Sequence, residues 1–187
     1  MRAALVLVPL LFFTRPLVAQ PAADAPVPAH VTYLIEAARN AFAGVSGGAT
    51  YGPGSSLITR VVASNHAMRF QGAEASSEIR VNANWNVMHS TWLPVAGNRA
   101  AADSAWDRLA REIASVIPAG WQQFRNFPAQ RIIYWQECQQ GRGREVGLSQ
   151  SLSFQRPALQ LIVYRYDRPC EGTAGGSGSP PGDGAGG

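Results

Sequence analysis

Lysine is absent from this chain: all sixteen basic residues are arginine. That removes three chemistries together, because a Walker-type phosphate loop needs its lysine, a Schiff base needs a side-chain amine, and the Ser-x-x-Lys acyl enzymes need their second residue. Histidine is scarce as well, with three in the chain, and none stands in a ligand-spaced metal motif. Long apolar runs are missing too. The run Ala3 to Phe13 has 11 residues, whereas a helix crossing a hydrocarbon core of about 30 Å needs roughly 18 or more. No membrane span, bound metal or cofactor is therefore expected.

What the N-terminus does hold is an arginine at position 2, that apolar run, and Leu17-Val18-Ala19 before Gln20. This is the layout of a secretory signal peptide cleaved after Ala19, which predicts a soluble periplasmic or secreted protein. Loss of Arg2 and Arg15 with the signal leaves fourteen arginines against twelve acids, a formal charge of +2. A balance so small, with no clustered basic stripe, gives no reason to expect a nucleic-acid partner. Gln20 to Ala29 is a Pro/Ala spacer, and Glu171 to Gly187 (EGTAGGSGSPPGDGAGG) has the makeup of a disordered Gly/Ser/Pro tail. Between them, His30 to Cys170 forms one domain of 141 residues, enough for an adequate core.

Periodicity divides that domain into elements. Val31, Leu34, Ile35, Ala38 and Phe42 recur at helical steps, so His30 to Val45 reads as an amphipathic helix stopped by Gly44. Thr50 to Gly54 is loop. Leu57 to Ala63, Ala67 to Gln71 and Ser77 to Leu93 follow as strands, the last long enough to bend or bulge. A second amphipathic helix over Asn98 to Ile117 carries Ala102, Trp106, Leu109, Ile113 and Val116 on one face and ends at Pro118. Trp121, Phe124 and Phe127 lie in a connection that covers the edge of the core. Three strands close the domain: Arg131 to Cys138, Gly147 to Gln155 and Ala158 to Asp167. The order α-βββ-α-βββ predicts a two-layer α+β sandwich, an antiparallel sheet of about six strands with both helices on one face.

In the last three strands, alternation puts Leu148, Leu152 and Phe154 on one face and Ser149, Ser151, Ser153 and Gln155 on the other. A turn at Arg156-Pro157 pairs Phe154 with Leu159, Leu152 with Leu161 and Gln150 with Val163; a cis bond or a longer loop there would slip the pairing. The same register lays Ile162, Tyr164 and Tyr166 beside the serines, together with Ile133 and Trp135. Trp135, Tyr164 and Tyr166 are the candidate binding strip on the open face of the sheet, where the partner would be a protein or a small ligand. Arg142 and Arg144, in the Gly141-Arg142-Gly143-Arg144 hairpin tip, are candidate anion contacts, although a mobile tip has the same composition.

Catalytic readings are thinner. Gly44-Val45-Ser46-Gly47-Gly48 matches G-x-S-x-G, yet Ser46 follows a helix, whereas a nucleophile elbow follows a strand. His66 and His89 on neighbouring strands, with Glu78, would make an acid-base or metal cluster. Glu137 and Glu145 would make a carboxylate pair if the hairpin joined them. No catalytic residue is assigned. The expected function is a non-enzymatic binding module; the alternative is a small periplasmic hydrolase or metal-dependent enzyme.

Two cysteines in an exported chain are expected to pair. Cys138 closes the first strand of the final meander and Cys170 lies just past the third, so both reach one end of the sheet. Intact mass of the exported protein should show loss of the first 19 residues, and thiol labelling after unfolding should find no free thiol. Cys170→Ser should cost at most about 3.7 kcal/mol, the chain-entropy value for this loop. Retention of Met1 to Phe13, or two reactive thiols, would be the contrary result.

Overall fold

Among the described residues each half lays down one α-helix and then a run of antiparallel strands, and the two runs join at the last described strand of each. The computed structural model describes residues 19–51, 58–82, 86–127, 131–137, 143–151 and 157–166. In the first half α1 (Val27–Ala38) and a 3₁₀ turn (Ala43–Val45) precede β1 (Ser46–Tyr51) and β2 (Ile58–Ser64). The short strands β3 (Arg69–Phe70) and β4 (Ala73–Glu74) come next, then β5 (Ser76–Asn82) and β6 (Val87–Pro94). In the second half α2 (Arg99–Ala114) precedes β7 (Gln122–Phe127), β8 (Ile132–Gln136), β9 (Gly143–Ser151) and β10 (Ala158–Tyr166). The main sheet has eight strands in the order β1-β2-β5-β6-β10-β9-β8-β7, and β3 and β4 form a separate hairpin. Every neighbouring pair in it is antiparallel. The class is the expected α+β sandwich, with eight strands in the main sheet where about six were expected.

Local chemistry explains the helices. Val27, His30, Val31, Leu34, Ile35 and Ala38 form the buried stripe of α1, which starts three residues before His30 with proline in its first turn, where no amide donor is needed. It also ends earlier than Val45. Ala41 (φ 51°) and Phe42 (φ 60°) turn left-handed and carry the Phe42 side chain into the core, where it is fully buried. The Asn98 side chain caps α2 by accepting the Ala101 N–H at 3.1 Å. Ala102, Ala105, Trp106, Leu109 and Ile113 form its buried face.

Several strand boundaries differ from the sequence pattern, and the expected strand Ala67 to Gln71 is only the short β3 of the separate hairpin. Ser77 to Leu93 is a hairpin of β5 and β6, closed where the Asn86 N–H donates to Asn82 Oδ1 and the Asn82 N–H donates to the Asn86 carbonyl. β1 occupies what reads as a Gly-rich loop. A side chain on Gly47 would meet the Ala63 carbonyl oxygen at 3.0 Å, so glycine is what lets this edge strand approach β2. β7 occupies the connection after Trp121.

Alternation gives the sheet a helix side and an outer side. Leu93, Val146, Leu148, Leu159, Leu161 and Val163 are fully buried on the helix side. The observed register pairs Leu159 with Gln150, Leu161 with Leu148 and Val163 with Val146. It differs from the expected one by a slide of four residues, because β9 begins at Gly143 and not at Gly147; Leu152, Phe154 and the turn at Arg156 lie outside the described residues. An even slide keeps each side chain on its expected face. In β8 the face is reversed: Ile133 pairs with Leu148 and Trp135 with Val146, so both join the helix side, and Tyr134 takes the outer side.

Tyr134 lies opposite Gly147, and a Cβ at Gly147 would come within 2.5 Å of the tyrosine ring. The ring covers the glycine, as aromatics do beside strand glycines. Gly147→Val should therefore destabilise the fold by about 1–2 kcal/mol, yet be neutral or stabilising in a Tyr134→Ala background. Urea midpoints of the four proteins in this cycle decide it, and additive effects would contradict the observed pairing of β8 with β9.

Candidate functional site

The outer side of the sheet is the broad surface left by the fold, since the buried faces of α1 and α2 belong to one core with the helix side. Across its middle, β10 supplies Gln160, Ile162 and Tyr164, opposite Trp92, Ser90 and Met88 of β6 and opposite Ser149, Gly147 and Glu145 of β9. Tyr164 stacks on Tyr166 with centroids 5.2 Å apart, and the Tyr166 hydroxyl donates to Glu145 at 3.3 Å. Gln160 Nε2 donates to Ser90 Oγ at 2.8 Å. Arg80 and Glu78 form an ion pair here. Ser90, Ile162, Glu145 and Gln136 are buried beneath this layer, although they sit on the outer face. Burial, then Tyr134 and Glu145, raise the Tyr164 phenol to about 12, against the pull of Arg80, so it stays neutral. At one end a pocket of about 330 Å³ is lined by Glu74, Ser76, Trp92, Pro94 and Ala158.

Of the candidate binding residues, Tyr164 and Tyr166 lie on this face, beside Glu145 and Gly143, while the serines Ser149 and Ser151 lie beside Gln160 and Ala158. Trp135 does not join them. It is 6 % exposed and belongs to the core. Both sides of β8 are apolar, so alternation alone could not orient that strand. Arg142, Cys138 and Cys170 lie outside the described residues.

Arg144 is no hairpin tip. It lies within β9, 7 % exposed, with Nε and Nη2 on the two carboxylate oxygens of Glu137 and its guanidinium over the Trp121 ring at 5.4 Å. Nη1 donates to the Ile35 carbonyl at 3.0 Å and lies 3.7 Å from Glu36. It thereby satisfies a carbonyl of the last helical turn, which the Arg39 N–H leaves by turning to Glu36 O. The five-donor fork of arginine suits this task, and an ammonium would not. Arg131 does similar work on α2, pairing with Asp103 and Asp107 while lying 5.3 Å over Trp106.

The catalytic candidates separate in the same way. Glu137 faces Arg144 on the helix side and Glu145 faces outward, so they make no carboxylate pair. Glu78 is outward with Arg80. Ser46 is exposed at the start of β1. His66 and His89 do meet, edge to face with centroids 5.6 Å apart, and His30 completes the group through its Nδ1, 3.1 Å from His66 Nε2. His89 Nε2 lies 2.9 Å from Ser64 Oγ, and its Nδ1 lies 3.4 Å from Thr91 Oγ1. Ser64 Oγ also accepts the His66 N–H and reaches the Val45 carbonyl, which makes it a turn-forming hydroxyl. Burial lowers His89 to about 3 and His66 to about 4, each further depressed by its neighbouring histidine, and burial also lowers His30. Among the described residues no set of three His, Cys, Asp or Glu is placed to hold a metal ion. The signal for this cluster was phase: His30 falls on the apolar stripe of α1, and His89 alternates with Val87 and Leu93.

Removing the Arg144 side chain would leave the Glu137 carboxylate buried and unpaired. Arg144→Ala is expected to cost about 3–5 kcal/mol by urea denaturation, and Arg144→Lys should recover only part of that. A cost below about 0.5 kcal/mol, usual for surface substitutions, would return Arg144 to the solvent.

Comparison of the chain with known protein families, with characterised proteins and with solved structures found no match in any of the three.

Proposed function

We propose that this chain is an exported module that binds a protein partner through the outer face of its sheet. The observation that carries the reading is the single-sided core: both helices pack on one face, and Tyr134, Tyr164, Tyr166, Met88 and Trp92 stay partly exposed on the other. Rigid, amphipathic rings over a hydrogen-bonded floor are the composition that protein interfaces favour. A small ligand would be better served by an enclosed cavity, whereas this face is broad and the pocket beside Trp92 lies at its end. Export rests on the N-terminal sequence, and no described helix is long and apolar enough to cross a membrane.

The hydrolase or metal-enzyme alternative has less support. His89 is fully buried, its Ser64 neighbour has its oxygen committed to backbone groups, and Glu78 and Ser46 lie elsewhere.

A photo-crosslinking side chain placed at Tyr166 or Trp92 should capture one saturable partner in the exporting host, and one placed at Arg111 on the exposed side of α2 should not. Trp92→Ser, read with the probe at Tyr166, should weaken that capture at least tenfold, as loss of an aromatic anchor does, while leaving the melting temperature within a few degrees. Equal capture from both faces, or none from the sheet, would remove the proposal.

A further inference from the structure

All three histidines of the chain meet in one buried vein that ties α1 to the sheet. His30 comes from α1, His66 from the turn after β2, and His89 from β6, with exposures of 0, 3 and 0 %. Their contacts run in sequence: His30 to His66 at 3.1 Å, His66 edge-on to His89, His89 to Ser64 and Thr91, and Thr91 to Ser77 at 3.1 Å. Tyr33 stacks on His66 at 5.4 Å, and Phe42 leans on His89 at 5.5 Å.

The groups facing these rings from each packed element are uncharged. They are Tyr33 on α1, Phe42 and the Val45 carbonyl before β1, Ser64 on β2, Thr91 on β6, Ser77 on β5 by way of Thr91, and the Ala23 and Ala25 carbonyls near His30. Glu36, on the same helix as His30, is engaged by Arg39 at 2.9 Å, and Glu78 of β5 by Arg80. Among the described residues no carboxylate pairs with the vein, and the buried His66 Nδ1 lacks a hydrogen-bond partner.

The proton count then matters. Two neutral rings at this separation share one N–H···N bond, and a first added proton leaves that bond intact. A second places N–H against N–H across 3.1 Å, with two charges side by side and no anion near. The contact must then part, and His30 takes α1 with it. We propose that the vein is an acid-sensitive latch that holds α1 on the sheet and releases it when neighbouring histidines are protonated.

The sign follows from proton uptake. Rings held neutral in the folded state bind more protons once released, so the closed state is fully stable above the ordinary histidine value and weakens as pH falls from about 6.5 toward 4. Each proton taken up shifts the equilibrium about tenfold per pH unit, so two give about a hundredfold. Hydrogen exchange corrected for intrinsic rates should show amides 27–38 losing protection by up to about that factor per unit over this range, while amides 99–114 keep theirs. The double variant His30→Gln, His66→Gln should flatten the dependence. If that variant does not fold, imidazole NMR of the parent serves instead, and no ring should titrate near 6.5 while α1 is closed. Three results would overturn the latch: equal loss in both helices, α1 protection independent of pH, or a ring titrating normally in the closed state.

Discussion

The pairing of β6 with β10 is the joint on which the rest of the molecule depends. It runs from Ala158 opposite Pro94 to Arg165 opposite Val87, and it fuses two α-ββββ halves into one sheet. Each half alone is of the size at which a single core is marginal, with four main strands and one helix to bury. Joined, they bring Leu93, Leu159, Leu161 and Val163 together beneath both helices. The outer pairs, β1 with β2 and β7 with β8, each carry a register irregularity, so the two open edges are locally bent and poorer templates for a further strand.

Around that joint the helices are held by different chemistry. α1 is fastened near its end by Arg144 through the Ile35 carbonyl and at His30 by the histidine vein, whereas α2 is fastened by Arg131 through two aspartates. The contact at His30 is made between neutral imidazoles, and α2 has no counterpart to it among the described residues. Part of α1's attachment is therefore conditional in a way that α2's is not.

Much of this architecture was legible because burial writes a period into the sequence. The stripe Val31, Leu34, Ile35, Ala38 located α1, and Ala102, Trp106, Leu109, Ile113 located α2. β1 (SGGATY) and β7 (QQFRNF) carry no alternating apolar signature and read as connections. β8 has apolar residues on both parities, and what orients it is a contact between strands: Tyr134 needs the space above Gly147. Arg144 looked like part of a flexible tip because its partners, Glu137 and the Ile35 carbonyl, come together only through the fold. Of the candidate site, the tyrosines on β10 could be placed from alternation, while Tyr134 and Trp92 could not be joined to them without the order of strands.

That order puts the last described strand at the middle of the sheet. β10 ends at Tyr166 and is flanked by β6 and β9, so as the polypeptide emerges from the ribosome its central seam is made after the other seven strands of the main sheet. Until then the first four main strands have a bare inner edge and the last helix has nothing complete to lie on. Contacts that close so late and span so much of the chain make folding slow and all-or-none. A nascent chain of this topology stays uncommitted until β10 has been made, however early its two helices form.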